Sequence, residues 1–151
     1  MAESTATRLI RAPRTAVYGA LVDARAVSNW LPPAGTICGM CEFEPKVGGG
    51  QLRMAIAPVA APEDARVLRL TYAETRPDEL VVFGAEFEDE GTAMVVGMVI
   101  TILLRKVDGG TEVTVRHQGL PPEISPENNW LGWVSSLANL ANLVERGGSR
   151  P

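Results

Sequence analysis

One histidine, two cysteines and a scatter of serines are the residues of this sequence with the chemistry of a reacting group. His117 alone removes multi-histidine metal centres and leaves a single ordinary candidate for proton transfer near neutral pH. Cys38-Gly39-Met40-Cys41 has the spacing of a redox or zinc motif. A redox pair needs its first thiol at a helix N-terminus, and zinc needs further ligands that this chain does not offer. The segment reads as a strand, where positions three apart point to opposite faces, so both cysteines are read as small, half-buried residues. Ser28, Ser125, Ser135 and Ser136 lack the glycine-flanked elbow that exposes a nucleophilic serine. Gly48-Gly49-Gly50 is followed by neither Lys-Ser nor Lys-Thr and is read as a hairpin turn rather than a phosphate cradle. The acidic run Glu86 to Glu90, interrupted by Phe87, lacks alternating carboxylates for calcium and is read as a solvated strand end. Trp30, Trp130 and Trp133 fit either a bracket for an aromatic ligand or plain core, and both readings stay open.

These side chains need a scaffold, and the composition bounds it. With 151 residues, one hydrophobic core serves the whole chain, and a single domain over residues 1–151 is expected. Acidic side chains outnumber basic ones, 18 to 14, giving a net charge of -4 and no field that favours phosphate backbones. Nucleic acid is therefore not an expected partner. Two cysteines make no disulfide framework, and no charged-then-apolar leader precedes Arg8, so a cytoplasmic protein is expected. No apolar run approaches the roughly 18 residues of a membrane span.

A strand is expected at Arg8 to Ala12, and Pro13 followed by Val17, Ala20 and Leu21 predicts a short helix. A second helix begins near Asp23 and stops by Leu31, ahead of Pro32 and Pro33. From Thr36 to Gln118 apolar and polar residues alternate in runs broken by Gly, Pro and Asp, the pattern of an antiparallel meander. Asp108-Gly109 predicts a type I′ turn, which sets Arg105 against Glu112, Ile102 against Val115 and Ile100 against His117. Met98, Ile100, Ile102, Leu104, Val113, Val115 and His117 then share the interior face, while Val95, Val99 and Leu103 face away. That register sets no carboxylate, serine or second histidine beside His117. The outward apolar row leads us to expect a homodimer. Ser125-Pro126-Glu127 opens a long helix whose apolar stripe comprises Trp130, Trp133, Val134, Leu137, Leu140, Ala141 and Val144. Its natural place is the concave side of the sheet.

The chain resembles the SRPBCC, or START-like, superfamily, and more narrowly the bacterial branch of the activator of heat-shock protein 90 ATPase homologue-like family. The residues are Ile10-Arg11-Ala12-Pro13, Trp30-Leu31-Pro32-Pro33-Ala34-Gly35, Glu42-Phe43-Glu44-Pro45-Lys46-Val47-Gly48-Gly49, Gly109-Gly110-Thr111-Glu112-Val113-Thr114, His117-Gln118-Gly119-Leu120-Pro121 and Gly132-Trp133. The resemblance implies an α+β helix-grip fold, a curved antiparallel sheet around a long C-terminal helix with two short helices after the first strand. It also implies an internal hydrophobic cavity, in which relatives hold lipids, polyketides or other apolar molecules. Two departures stand out. Asn128-Asn129 replaces a segment where bacterial relatives often carry a histidine, altering the cavity's chemistry, and Gly84 stands where an aromatic is common, altering its volume.

Function is accordingly expected to be the binding of a small apolar molecule between sheet and helix, with no cofactor and no metal. Trp30, Met54, Ile56, Met98, Ile100, Ile102, Trp130, Val134 and Leu137 are the expected wall, and His117 the convergent polar group. Two alternatives belong to other classes. One is a polyketide cyclase or aromatase-like enzyme using His117, which resemblance to the superfamily allows; the other is a co-chaperone or stress-response module acting through its surface, as the family's name suggests.

Overall fold

A computed structural model describes residues 2–46, 49–89, 92–122 and 124–148, with the side chains of residues 24, 39–49, 88–96, 147 and 148 outside that description. Seven antiparallel strands form one sheet in the order β1-β7-β6-β5-β4-β3-β2. They are β1 (Ala2–Ile10), β2 (Thr36–Lys46), β3 (Gly49–Pro58), β4 (Arg66–Arg76), β5 (Leu80–Asp89), β6 (Thr92–Val107) and β7 (Gly110–Leu120). The helices are α1 (Arg14–Val22), α2 (Ala24–Trp30) and α3 (Pro126–Gly148). The sheet is curled, and α3 runs closest to β1 and to the two short helices, which is the expected helix-grip arrangement. No helix is long and apolar enough to cross a membrane.

The β6–β7 register is the expected one: Arg105 pairs with Glu112, Ile102 with Val115 and Ile100 with His117. The turn that sets it differs. Gly109 has φ 88°, but Asp108 is not among the positive-φ residues, so one central position is left-handed rather than the two that a type I′ turn requires. The β2–β3 pairing runs to Lys46 and Gly49, so Gly49 and Gly50 open β3 rather than form the expected turn, and Gly48 lies outside the described residues. A bulge between Cys38 and Met40 breaks the simple alternation from which opposite faces were expected for the two cysteines; the side chain of Cys41, like those of Glu88, Glu90 and Val95, lies outside the described residues.

β1 is the largest departure from expectation, since it runs from Ala2 to Ile10 rather than from Arg8 to Ala12. Its buried positions are Ser4, Ala6 and Ile10, and two small residues in an otherwise polar segment carry little apolar signal. Pairing with β7, which β6 covers on its other side, holds this strand in place.

α1 begins directly after Pro13 and stops at Val22, and α2 stops at Trp30, ahead of Pro32 and Pro33. Asp23 caps α2 by accepting from the backbone N–H groups of Arg25 and Ala26. The C-terminal carbonyls of α1 are taken by side chains from elsewhere: Trp30 Nε1 donates to Ala20 O at 3.0 Å and Tyr72 Oη to Leu21 O at 2.7 Å. Those at the end of α2 and just beyond are taken by α3, through Ser136 to Leu31 O and Asn139 to Trp30 O and Pro32 O. Ser125 caps α3 by accepting from Asn128 N at 3.0 Å.

Candidate functional site

The concave face of the sheet is built from alternate residues of successive strands, and cross-strand partners lie side by side on it. One row runs Tyr72, Phe83, Ile100, His117, Ser4 across five strands. The next rows carry Val81, Ile102, Val115 and Ala6 on one side, and Leu52, Leu70, Ala85 and Met98 on the other. Met54, Met98, Ile100, Ile102 and Leu137 are buried and Ile56 is partly buried, so six of the expected wall residues belong to this interior. Trp30 is 1% exposed and its indole N–H is spent on the backbone of α1, which makes it core that locks two helices together. Trp130 and Val134 do not turn inward: they are 44% and 40% exposed. The buried stripe of α3 is Trp133, Leu137, Leu140, Ala141 and Val144. Val134, about 100° round the helix from Trp133, lies on its flank, and Trp130 lies in the first turn.

Gly84 also faces away from the interior. It pairs with Thr71 and Val99, both exposed, between the buried Phe83 and Ala85. The expected effect of this glycine on cavity volume is therefore overturned, because period-two alternation sends position 84 outward.

His117 is 6% exposed, and three groups converge on its ring. Trp133 Nε1 donates to Nδ1 at 3.0 Å, Asn129 Nδ2 lies 3.3 Å from the same nitrogen, and Met98 Sδ lies 3.3 Å from Nε2. Behind Asn129, the Ser4 hydroxyl donates to Oδ1. An indole N–H only donates, so Nδ1 must keep its lone pair and the ring proton sits on Nε2, facing the thioether. Burial lowers the pKa of His117 from 6.5 to about 4, since among the described residues no buried carboxylate offsets the loss of hydration. The side chain is a neutral imidazole of fixed tautomer.

This network corrects the expectation that no serine stands beside His117. Ser4 is its register partner on β1, and a strand misread at residues 8–12 could not deliver it. Asn129, noted as a departure from the family pattern, proves to be the link between Ser4 and the ring. Trp133 was legible as part of an apolar stripe, but its role as a donor to His117 depends on how α3 docks. Among the described residues the other buried polar side chains, Thr111 and Ser136, are spent on the backbone oxygens of Ala12 and Leu31. No three of His, Cys, Asp or Glu converge among the described residues, so this part of the molecule presents no ligand set for a metal ion.

The comparisons with known proteins agree with this architecture. A family model described as Activator of Hsp90 ATPase homolog 1-like protein matches residues 11–145. Protein CV1439 from Chromobacterium violaceum is 32% identical, with 96% of this chain and 99% of that one covered and a TM-score of 0.83. The AHSA1 protein from Silicibacter pomeroyi, 15% identical, covers 97% of this chain and 99% of its own at a TM-score of 0.80. DynU16, a protein of the dynemicin biosynthetic locus, is 20% identical, covers 99% of this chain but 49% of its own, and gives a TM-score of 0.67. A comparison with curated proteins returned no significant match.

Proposed function

Because the chain belongs to the Activator of Hsp90 ATPase homolog 1-like family, we propose that it binds a small, mostly hydrophobic molecule between the concave sheet and α3. We take it to act as a single START-like domain in the cytoplasm, without cofactor or metal. The observation that carries the reading is the inward face itself. Flexible methionines and branched aliphatic residues surround one neutral, buried imidazole whose Nε2–H faces only a thioether. Folds of this family commonly hold hydrophobic ligands, and one structural neighbour comes from the dynemicin biosynthetic locus, which is in keeping with an apolar guest.

A cyclase-like reaction using His117 is the second reading, and the DynU16 neighbour is what favours it. The hydrogen bonds weigh against it. The lone pair that a general base needs is already held by Trp133 and Asn129, and a pKa near 4 leaves little basicity. Action on a chaperone would instead be expected to map to the outer surface and to be indifferent to the interior.

Titration with N-phenylnaphthylamine, an uncharged apolar fluorophore, tests the binding reading. Saturable binding that disappears when Ile102→Glu charges the interior of a still-folded protein is the expected result. Unsaturable uptake, unchanged by that substitution, would count against an interior site.

A further inference from the structure

The hydrogen-bond polarity around His117 carries the binding reading one step further, to the chemistry of the ligand's polar end. Both donors that reach the ring meet at Nδ1, from Trp133 at 3.0 Å and Asn129 at 3.3 Å. Ser4 holds Asn129 in that orientation by donating to its oxygen, so the amide presents its NH2 group to the ring. Nε2 therefore bears the proton and can only donate. Its partner is Met98 Sδ at 3.3 Å, a weak acceptor on a flexible side chain. A buried N–H left with a thioether gains from exchanging it for oxygen.

What the oxygen belongs to follows from its surroundings. Among the described residues the buried set contains no lysine or arginine, so a carboxylate brought here would lie unpaired in an apolar face at high cost. A hydroxyl accepts from Nε2 but brings a donor of its own. Of the nearby acceptors, His117 Nδ1 is taken by Trp133 and Asn129, and Asn129 Oδ1 already accepts from Ser4, so the hydroxyl proton would have to share that oxygen. A carbonyl accepts and brings no donor. Ile100, Ile102 and Phe83, adjoining in the same face, suit an apolar remainder.

We propose that the ligand is a neutral carbonyl compound, a ketone, aldehyde or ester, whose oxygen replaces Met98 Sδ as the acceptor of the His117 Nε2–H. This rests on the reading of the interior as a hydrophobic binding site. The test is a matched series on one alkyl chain: undecane, methyl nonyl ketone, the corresponding secondary alcohol and the corresponding carboxylate, each displacing N-phenylnaphthylamine. The ketone is expected to bind about tenfold more tightly than the alkane and the alcohol, with the carboxylate weakest. His117→Phe should remove the ketone's advantage, whereas Met98→Leu, which deletes the competing sulfur while keeping bulk, should retain or increase it. The wild-type ring gives a readout that needs no variant, because a chain with one histidine shows one imidazole in a long-range proton–nitrogen correlation. A proton on Nε2 that shifts on adding ketone and not alkane supports the proposal. Equal affinity for alkane and ketone would overturn the carbonyl assignment and leave the apolar site standing; no binding by any member, with no displacement of the fluorophore, would overturn both. A ring protonated on Nδ1 would overturn the assignment whatever the affinities.

Discussion

His117 shows how far neighbours decide what a residue does. An exposed histidine takes up a proton near pH 6.5, but this one is buried against a donor-only indole, and its pKa falls to about 4. Above pH 6.5 both the folded and unfolded chains are neutral at this site. Between about 6.5 and 4 only the unfolded chain binds the proton, so stability falls as the pH drops through that window, by on the order of 3 kcal/mol when complete. Below 4 the loss is constant. Carboxylates titrate in the same region, so the measure is the difference between wild type and His117→Gln in urea unfolding at several pH values. A proton NMR titration of the lone ring should show its midpoint near pH 4; a midpoint near 6.5 would contradict the buried, neutral assignment. The same substitution separates binder from enzyme. Glutamine keeps a hydrogen-bonding group in the wall, and we expect a ligand-affinity change of no more than about 1 to 2 kcal/mol. An extracted ligand that is isomerised, or that loses water, on incubation with wild type but not with the glutamine variant, read by chromatographic retention together with mass, would favour the cyclase reading.

At the scale of elements, alternation and turn chemistry explain what could be read and what could not. β6 and β7 were legible because seven apolar or buried positions alternate on both sides of Asp108-Gly109, so one register satisfies all of them. β1 was not, because Ser4, Thr5 and Thr7 give no apolar period and its placement comes from pairing with β7. The site suffered with it: the wall on β6 and β7 was visible in the sequence, whereas Ser4 and the donor roles of Asn129 and Trp133 depend on α3 docking beside the edge strand β1. The β6–β7 turn offers a sharp comparison. Gly109 has φ 88° with open space where a Cβ would go, while at Gly110, φ 152°, a Cβ would stand 2.1 Å from the carbonyl oxygen of Ile10. Gly109→Ala should cost about 1 kcal/mol, from conformation alone. Gly110→Ala should cost more than about 3 kcal/mol, since it pushes β1 off the edge of β7. Equal shifts in urea midpoint would show that the approach of Ile10 to Gly110 is not a fixed feature of the fold.

For the whole molecule, the largely polar outer face of the sheet carries a short apolar row on β6. Val99 and Leu103 on β6 are 38% and 50% exposed, and Leu80 adjoins Leu103 in register. We propose that this row is covered in a homodimer, as its alternation with the buried Met98, Ile100, Ile102 and Leu104 first suggested. Sedimentation at high micromolar protein should then show a dimer that Leu103→Lys dissociates, and wild type that is monomeric throughout would remove the proposal. The interior is independent of that outcome, since the residues that line it, on β1, β3 to β7 and α3, come from one chain. The measurement that tests the binding function most directly is native mass spectrometry of freshly purified protein, followed by extraction and identification of whatever accompanies it. We predict a mass above that of the bare chain, lost on denaturation and accounted for by an apolar molecule with a neutral carbonyl group. Bare chain from every preparation, unshifted after incubation with apolar ketones, would contradict the account.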